Sequence, residues 1–471
     1  MLESTRAISI KDLREQWHNG KDRERRAFVG DLLKVYRHNW KEILTYFIDN
    51  RFLEQTADKL APHTDTSINL LRWVTDEIAA IYSQPAHRTI NGSTEGLEPY
   101  ENKGLIDHYL DNASKYTQLC RELAVRPLVD DGKLVLDMVT PDRFTVIPHP
   151  TNPIKFLAII IQLTEGTFAV WTSDTHYIAD RQLNPIATHP DNIANAAANG
   201  GEYVNPYGVI PYVVTHARFP AMEFFNSQDS RGLYDATLTG GVQMTAHNHL
   251  RHLQSFKQIV ISGTKDEAMG KIVTDPARAL LLPNPAASAS TLDLQADLAT
   301  NLETMFQAQR PTLIMNGIWA DAIRSTQTGG SGYALSIKMH KQQVLWQQLR
   351  VLWELYENMI LDVARVVLLA DAGVTLPIGD LRVEYPDIGP NSDPKEQASL
   401  AESHQRLGMS RQNIWREQGK SEEWIAQNEE ELFEEEKRDS PMAIPVLETG
   451  DPSLDGDPAT VDVVDEEELE V

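Results

Sequence analysis

Hydrophobic residues along the chain fall first into helical and then into strand periodicities. Between Asp22 and Asn50, Phe28, Leu32, Leu33, Tyr36, Trp40, Leu44 and Phe47 recur at spacings of three and four, which predicts one amphipathic helix. A second helix is expected from Ser67 to Tyr82, with Ile68, Leu71, Val74, Ile78 and Ile81 on one face, ending before Pro85. A third should run from Leu105 to Leu123. The pattern then shortens to period two. Leu123–Val129 and Lys133–Val139 flank Asp130-Asp131-Gly132, a hairpin signal. Phe144–Ile147, Lys155–Leu163, Thr167–Thr172 and His176–Ala179 read as an antiparallel meander. Ala179–Asn205, poor in large apolar residues, reads as a long exposed loop. Val209–Ala217 reads as an edge strand because Pro211 interrupts it.

A second helical region follows. Leu233–Phe256 is periodic but interrupted by Gly240-Gly241. Two short strands, Gln258–Ser262 and Ala277–Leu282, bound a small module, and Thr291–Gln309 is helical. Pro311–Gly332 reads as a loop rich in Thr, Ser and Gly. The most regular segment comes next. Leu345, Leu349, Leu352, Tyr356, Met359, Val363 and Val367 form a continuous stripe on a helix of about ten turns, roughly 50 Å long. Such a stripe needs partners along its length. Leu381–Tyr385 is a strand, and Asp393–Phe433 is helical and increasingly acidic. The fold class is therefore α+β.

Charge narrows the function. The chain has 471 residues and a net charge of −25, so on average it repels nucleic acid. Its single cysteine, Cys120, permits no internal disulfide. The N-terminus lacks the order of a signal peptide, and the longest apolar run, Phe156–Ile161, is far short of the ~20 residues a membrane span requires. A soluble protein made in the cytoplasm is expected, with no membrane partner. From Glu448 to Val471 there are ten carboxylates and no Lys or Arg, so the tail is expected to be disordered.

Candidate chemistry is sparse. His247, His249 and His252 could bind zinc, which would make the chain a metal-dependent hydrolase. On a helix, however, only His249 and His252 share a face, and no zincin-type Glu accompanies them. Asp174, His176 and Asp180 fit a turn between strands better than acid–base work. Gly329-Gly330-Ser331-Gly332, ahead of Lys338 and Lys341, lacks the ending of a P-loop. The runs Glu422-Glu423, Glu429–Glu431 and Glu434–Glu436 read as a solvated face. No enzyme activity, cofactor or metal is expected.

The order of elements resembles the portal proteins of tailed bacteriophages over roughly residues 25–440. Leu70-Leu71-Arg72-Trp73-Val74-Thr75-Asp76-Glu77-Ile78 lies in the first helical region. Pro141-Asp142-Arg143-Phe144 leads into the strands. Asn205-Pro206-Tyr207-Gly208-Val209-Ile210-Pro211 is similar to the family's turn and strand. Gly232-Leu233-Tyr234-Asp235-Ala236 opens a helix, and Gly329-Gly330-Ser331-Gly332-Tyr333-Ala334-Leu335 opens a long one. The resemblance implies N-terminal helices and an α/β wing over residues 1–230, a first stem helix over 231–257 and a small clip over 258–290. A second stem helix would follow over 291–310, a tunnel loop over 311–332, and a tunnel helix with a return to the wing over 333–390. A helical crown over 391–440 and the acidic tail over 441–471 complete the chain. It further implies a virion protein forming a cyclic ring of about a dozen subunits, closed by head-to-tail interfaces. Double-stranded DNA would pass through the ring during packaging and ejection. The clip would meet the terminase motor and the head–tail adaptor; the major capsid protein and a scaffold are further partners. Arg324, Ser325, Thr326, Gln327, Thr328, Gly329, Gly330 and Ser331 would line the DNA channel without reading sequence.

Overall fold

The computed structural model describes residues 8–220, 223–255, 258–262, 288–292, 298–316 and 332–386. Its first layer is helical. α1 (Ile10–Trp17) opens with a capping box in which the Ser9 side chain and backbone are each bonded to Asp12. The continuous helix expected over Asp22–Asn50 is in fact two: α2 (Gly20–Tyr36) and α3 (Lys41–Arg51). The break is a Schellman turn. His38 adopts φ 59°, its N–H donates to the Val35 carbonyl, and the Asn39 N–H donates to the Lys34 carbonyl at 2.9 Å. His stands where Gly is usual, so the sequence carries no stop signal there. The turn re-aims the chain while leaving Leu32, Leu33, Trp40, Leu44 and Ile48 in one core. α4 (Glu54–Leu60) and a 3-10 turn over Ala61–His63 lead to α5 (Leu70–Ile78), with another 3-10 turn over Ala80–Tyr82.

Two sheets build the middle layer. After β1 (His87–Ile90) and α6 (Glu98–Glu101), α7 (Leu105–Cys120) delivers the chain through Arg121, at φ 71°, into β2 (Glu122–Asp130). β3 (Lys133–Val139) pairs antiparallel with β2, and Asp131 and Gly132, both at positive φ, make the expected tight turn. β4 (Phe144–Pro148), β5 (Phe156–Thr164), β6 (Thr167–Thr172) and β7 (His176–Ala179) form the expected meander in sequential order.

The expected exposed loop over 179–205 instead holds α8 (Pro190–Ala198). Its Asn192 is buried and acts as a surrogate strand. It accepts from the Ile178 N–H at 2.7 Å and donates to the carbonyls of Ile178 and Ile186. An asparagine that suggested a loop thus ties the end of β7 to the segment that follows it, beside the Ile186 N–H that donates to the same Ile178 carbonyl. β8 (Val213–His216) sits at the edge of the three-stranded sheet, order β3-β2-β8, as expected; Pro211 lies ahead of it rather than inside it.

α9 (Arg231–Ser255) runs uninterrupted through Gly240-Gly241, contrary to the expected break. Both glycines mark close approach. A Cβ on Gly241 would stand 2.9 Å from Leu44 and 3.0 Å from Trp40, and one on Gly240 would stand 2.6 Å from the Gln309 amide. Gln309 belongs to α10 (Leu298–Met315), which packs along α9. This helix starts later than expected and continues through Pro311, so the segment expected to be loop from Pro311 is still helical to Met315. β9 (Gln258–Ser262) pairs antiparallel with β10 (Ser288–Leu292); the second strand expected at Ala277–Leu282 lies outside the described residues.

α11 (Gly332–Ala372) is 41 residues long, about 60 Å at the standard rise. The stripe is real but rotated. Trp346, Leu349, Trp353, Tyr356, Ile360, Ala364 and Val367 are buried, while Leu345, Leu352, Met359 and Val363 are only half-buried. Its partners come from the same chain, chiefly β2, β8 and β11 (Leu381–Glu384), with Ile81, Tyr82 and Leu123 in the shared core. β11 pairs antiparallel with β1, a strand the sequence did not reveal. No described helix is long and apolar enough to cross a membrane.

Candidate functional site

All eight channel residues expected from the sequence, Arg324 to Ser331, lie outside the described residues, as do the acidic runs and the crown and tail over 391–471. What is described is their frame: α10 ends at Met315 and α11 begins at Gly332.

The histidine cluster is described. Near the end of α9, His249 and His252 each place a ring 5.0 Å from the ring of His63, which comes from the 3-10 turn after α4. The rings are tilted at 47° and 43° rather than stacked, and His247 is not part of this cluster. The segment after His63 is tied to α9 by Asp65. Its N–H donates to Thr245 Oγ1 at 3.0 Å, and its carboxylate accepts from the Ser67 N–H and from Asn248 Nδ2. Burial works against ionisation of Asp65, but those bonds outweigh it and hold its pKa below the usual value. The His249 pKa is lowered by burial first, then by His63, His252 and Lys59. Beside this cluster an open cleft of about 770 Å³ is lined by the 62–67 segment with Asn248, Arg251 and His252. Among the described residues, no group of three His, Cys, Asp or Glu side chains is arranged to hold a metal ion, so the hydrolase reading gains no support.

The other acid–base candidates separate. His176 stacks on Trp171 with centroids 3.4 Å apart, and burial pushes its pKa down to about 4. Asp180 caps the following turn, accepting from the Gln182 and Asn184 N–H groups.

Two buried charge systems escaped sequence reasoning. Glu357 on α11 is fully buried and accepts from Arg88 Nε at 2.6 Å and the Tyr82 hydroxyl at 2.6 Å; Arg88 Nη2 reaches Asp107 at 2.7 Å. This network fastens the long helix to β1 and α7. The second is Glu122, at the start of β2. It accepts from the Asn226 N–H and from Ser227 Oγ at 2.7 Å, bracing the segment that enters α9. Burial pushes its pKa up to about 7 against those bonds. His216, its register partner on β8, is pushed down to about 4 by burial, and neither ring nitrogen has a hydrogen-bond partner among the described residues. Polar residues inside strand or helix patterns were the available signal.

No family model matches the chain, and no curated protein does. Among solved structures, it overlaps a chain of the virion of a native gene transfer agent particle at 11% identity and a TM-score of 0.39. The overlap covers 75% of this chain and 90% of that one.

Proposed function

We propose that this chain is the subunit of a phage portal ring, a virion protein that conducts double-stranded DNA and takes no catalytic role. The observation that carries the reading is the order of elements from α9 to α11. A 25-residue helix leaves the α/β body, an antiparallel strand pair follows, and a second helix returns packed along the first. A 41-residue helix then runs back into the body. This is the stem, clip, stem and tunnel-helix order that the sequence resemblance implies. The Arg88–Glu357 network supports it further, because a helix behind a channel loop needs a fixed base. The acidic balance of the chain supports passage of DNA rather than tight binding to it.

Particle mass tests the reading. Native mass spectrometry and negative-stain images of the purified full chain should show closed rings of about a dozen copies, with assembly improving as salt screens the repulsion among subunits of charge −25. Monomer alone across a range of salt would refute it. In assembled rings, Gly330→Pro and Arg324→Ala should lower the amount of DNA packaged. Parental packaging by both would remove the channel role from that loop while leaving the ring intact.

A further inference from the structure

The root of α9 is a 3-10 turn over Ser227–Ser230, clamped at both ends by the junction of α7 with β2. At one end Ser230 Oγ donates to the Leu119 carbonyl at 2.8 Å and accepts from Arg121 Nε at 3.0 Å. At the other, Ser227 Oγ donates to Glu122 Oε2 at 2.7 Å, and the Asn226 N–H donates to Glu122 Oε1. Only the second end has an acceptor that titrates near neutral pH. Glu122 is fully buried, and the two cations that act on it are committed elsewhere. Arg25 of α2 pairs with Asp22 and donates to the carbonyls of Pro141 and Phe144, and Arg121 is bonded to Ser230. The other groups facing Glu122 carry no charge at neutral pH: His216 from β8, the Tyr356 hydroxyl from α11 and Cys120 at the end of α7. Asp142 acts on Cys120, and Asp229 and Arg218 act on Arg121. Farther along, α9 is seated by contacts that do not titrate. Thr237 Oγ1 accepts from the Leu71 N–H at 2.9 Å, and Gly241 lies against Trp40 and Leu44.

We propose that this junction is a proton-operated latch: a proton on Glu122 holds the turn at the root of α9 shut, and its loss lets that turn open locally while the rest of α9 stays seated. Protonated, the carboxyl keeps both bonds, since its carbonyl oxygen accepts from the Asn226 N–H and its hydroxyl donates to Ser227 Oγ. Ionised, it keeps both bonds as an acceptor but holds a buried charge with no ion pair to offset the lost hydration. Opening the turn admits water to that charge. Burial pushes the Glu122 pKa up to about 7 against the two bonds, which gives the latch its range. Closure is favoured fully below the ordinary carboxylate value of about 4.5, weakens as pH rises, and reaches its lower level at about 7. The latch belongs to the single subunit and does not depend on ring assembly or on DNA.

The test is amide hydrogen exchange of the full-length protein, followed by mass spectrometry at steps from about pH 5 to about pH 8. Rates are divided by those of the unstructured peptide, which removes the intrinsic dependence on pH. In the parent, the amides of residues 226–231 should exchange faster than those of β5 and β6, which open only with the whole fold. The N–H groups of Asn226, Asp229 and Arg231 report most directly, because each is bonded within the latch. Glu122→Gln keeps an oxygen for Asn226 and a donor for Ser227 but cannot ionise. Relative to that variant, exchange of residues 226–231 in the parent should rise about tenfold per pH unit until about pH 7 and then level off. Taking the ratio at each pH cancels any titration of His216. Exchange of residues 226–231 no faster than that of β5 and β6 shows that the turn opens only with the whole fold and overturns the proposal; this is read on the parent alone. A ratio of parent to variant that stays flat with pH overturns it as well.

Discussion

Replacing Glu122 with Gln should make the protein more stable at neutral pH and above, although it removes a charged acceptor from two hydrogen bonds. The carboxyl is fully buried at the junction between β2 and the segment entering α9, and its pKa is raised from 4.5 to about 7. A raised acid pKa means that the folded state prefers the protonated form. The group's favourable contribution is therefore present below about pH 4.5 and is lost as pH rises through about 7. The preference for the protonated form between those two values corresponds to about 3 kcal/mol at most. Glutamine keeps an oxygen for the Asn226 N–H, and its amide can donate to Ser227 Oγ, which reverses that bond rather than abolishing it. His216 works in the opposite direction. Its pKa is lowered to about 4, so its contribution is present above about 6.5 and lost on acidification. Comparing variant with parent at each pH cancels the His216 contribution. Urea unfolding followed by tryptophan fluorescence, at steps from about pH 5 to about pH 8, should show the variant gaining about 2–3 kcal/mol relative to the parent across that interval. A difference flat with pH, or one growing in the parent's favour, would refute the account of a buried carboxyl titrating near neutrality.

Arg88→Met should destabilise the fold by about 3–5 kcal/mol, because Glu357 would be left buried without its cation; adding Glu357→Leu should restore most of the loss in chemical denaturation. Gly241→Val forces a side chain against Leu44 and Trp40 and should cost about 1–3 kcal/mol, read as a lowered thermal midpoint. Asn192→Ala removes three hydrogen bonds to the backbone and should raise amide exchange at Ile178 well above the parent rate, with exchange in β2 unchanged. Deleting residues 446–471 should leave ring formation unaffected, as native mass spectrometry would show.

Legibility in the sequence followed the range of the interaction. β6 and β7 sit where alternation put them, and the Asp131-Gly132 turn sits where its backbone demands put it, because each is decided by neighbours a few residues away. The α2–α3 break was hidden because His38 carries the left-handed turn that glycine would have announced. The glycines that were read as a break in α9 answer to Trp40 and Gln309, which local pattern cannot see. β1 was missed because four residues including a buried arginine look nothing like a strand until Glu357 and β11 are placed beside them. The histidine site was half visible. His249 and His252 share a helix face by spacing alone, but His63 joins them from a turn whose position only the fold determines.

The pairing of β1 with β11 sets a timetable for biosynthesis. His87 meets Glu384 across about three hundred residues, a separation that places this contact among the slowest the chain can make. At ~5–20 residues per second, β1 leaves the ribosome roughly 15–60 s before its partner exists. Throughout that interval its backbone edge is unpaired and Arg88 awaits Glu357. The α/β body therefore cannot close before α11 and β11 have been synthesised, and until then its open edge is available to any other extended segment.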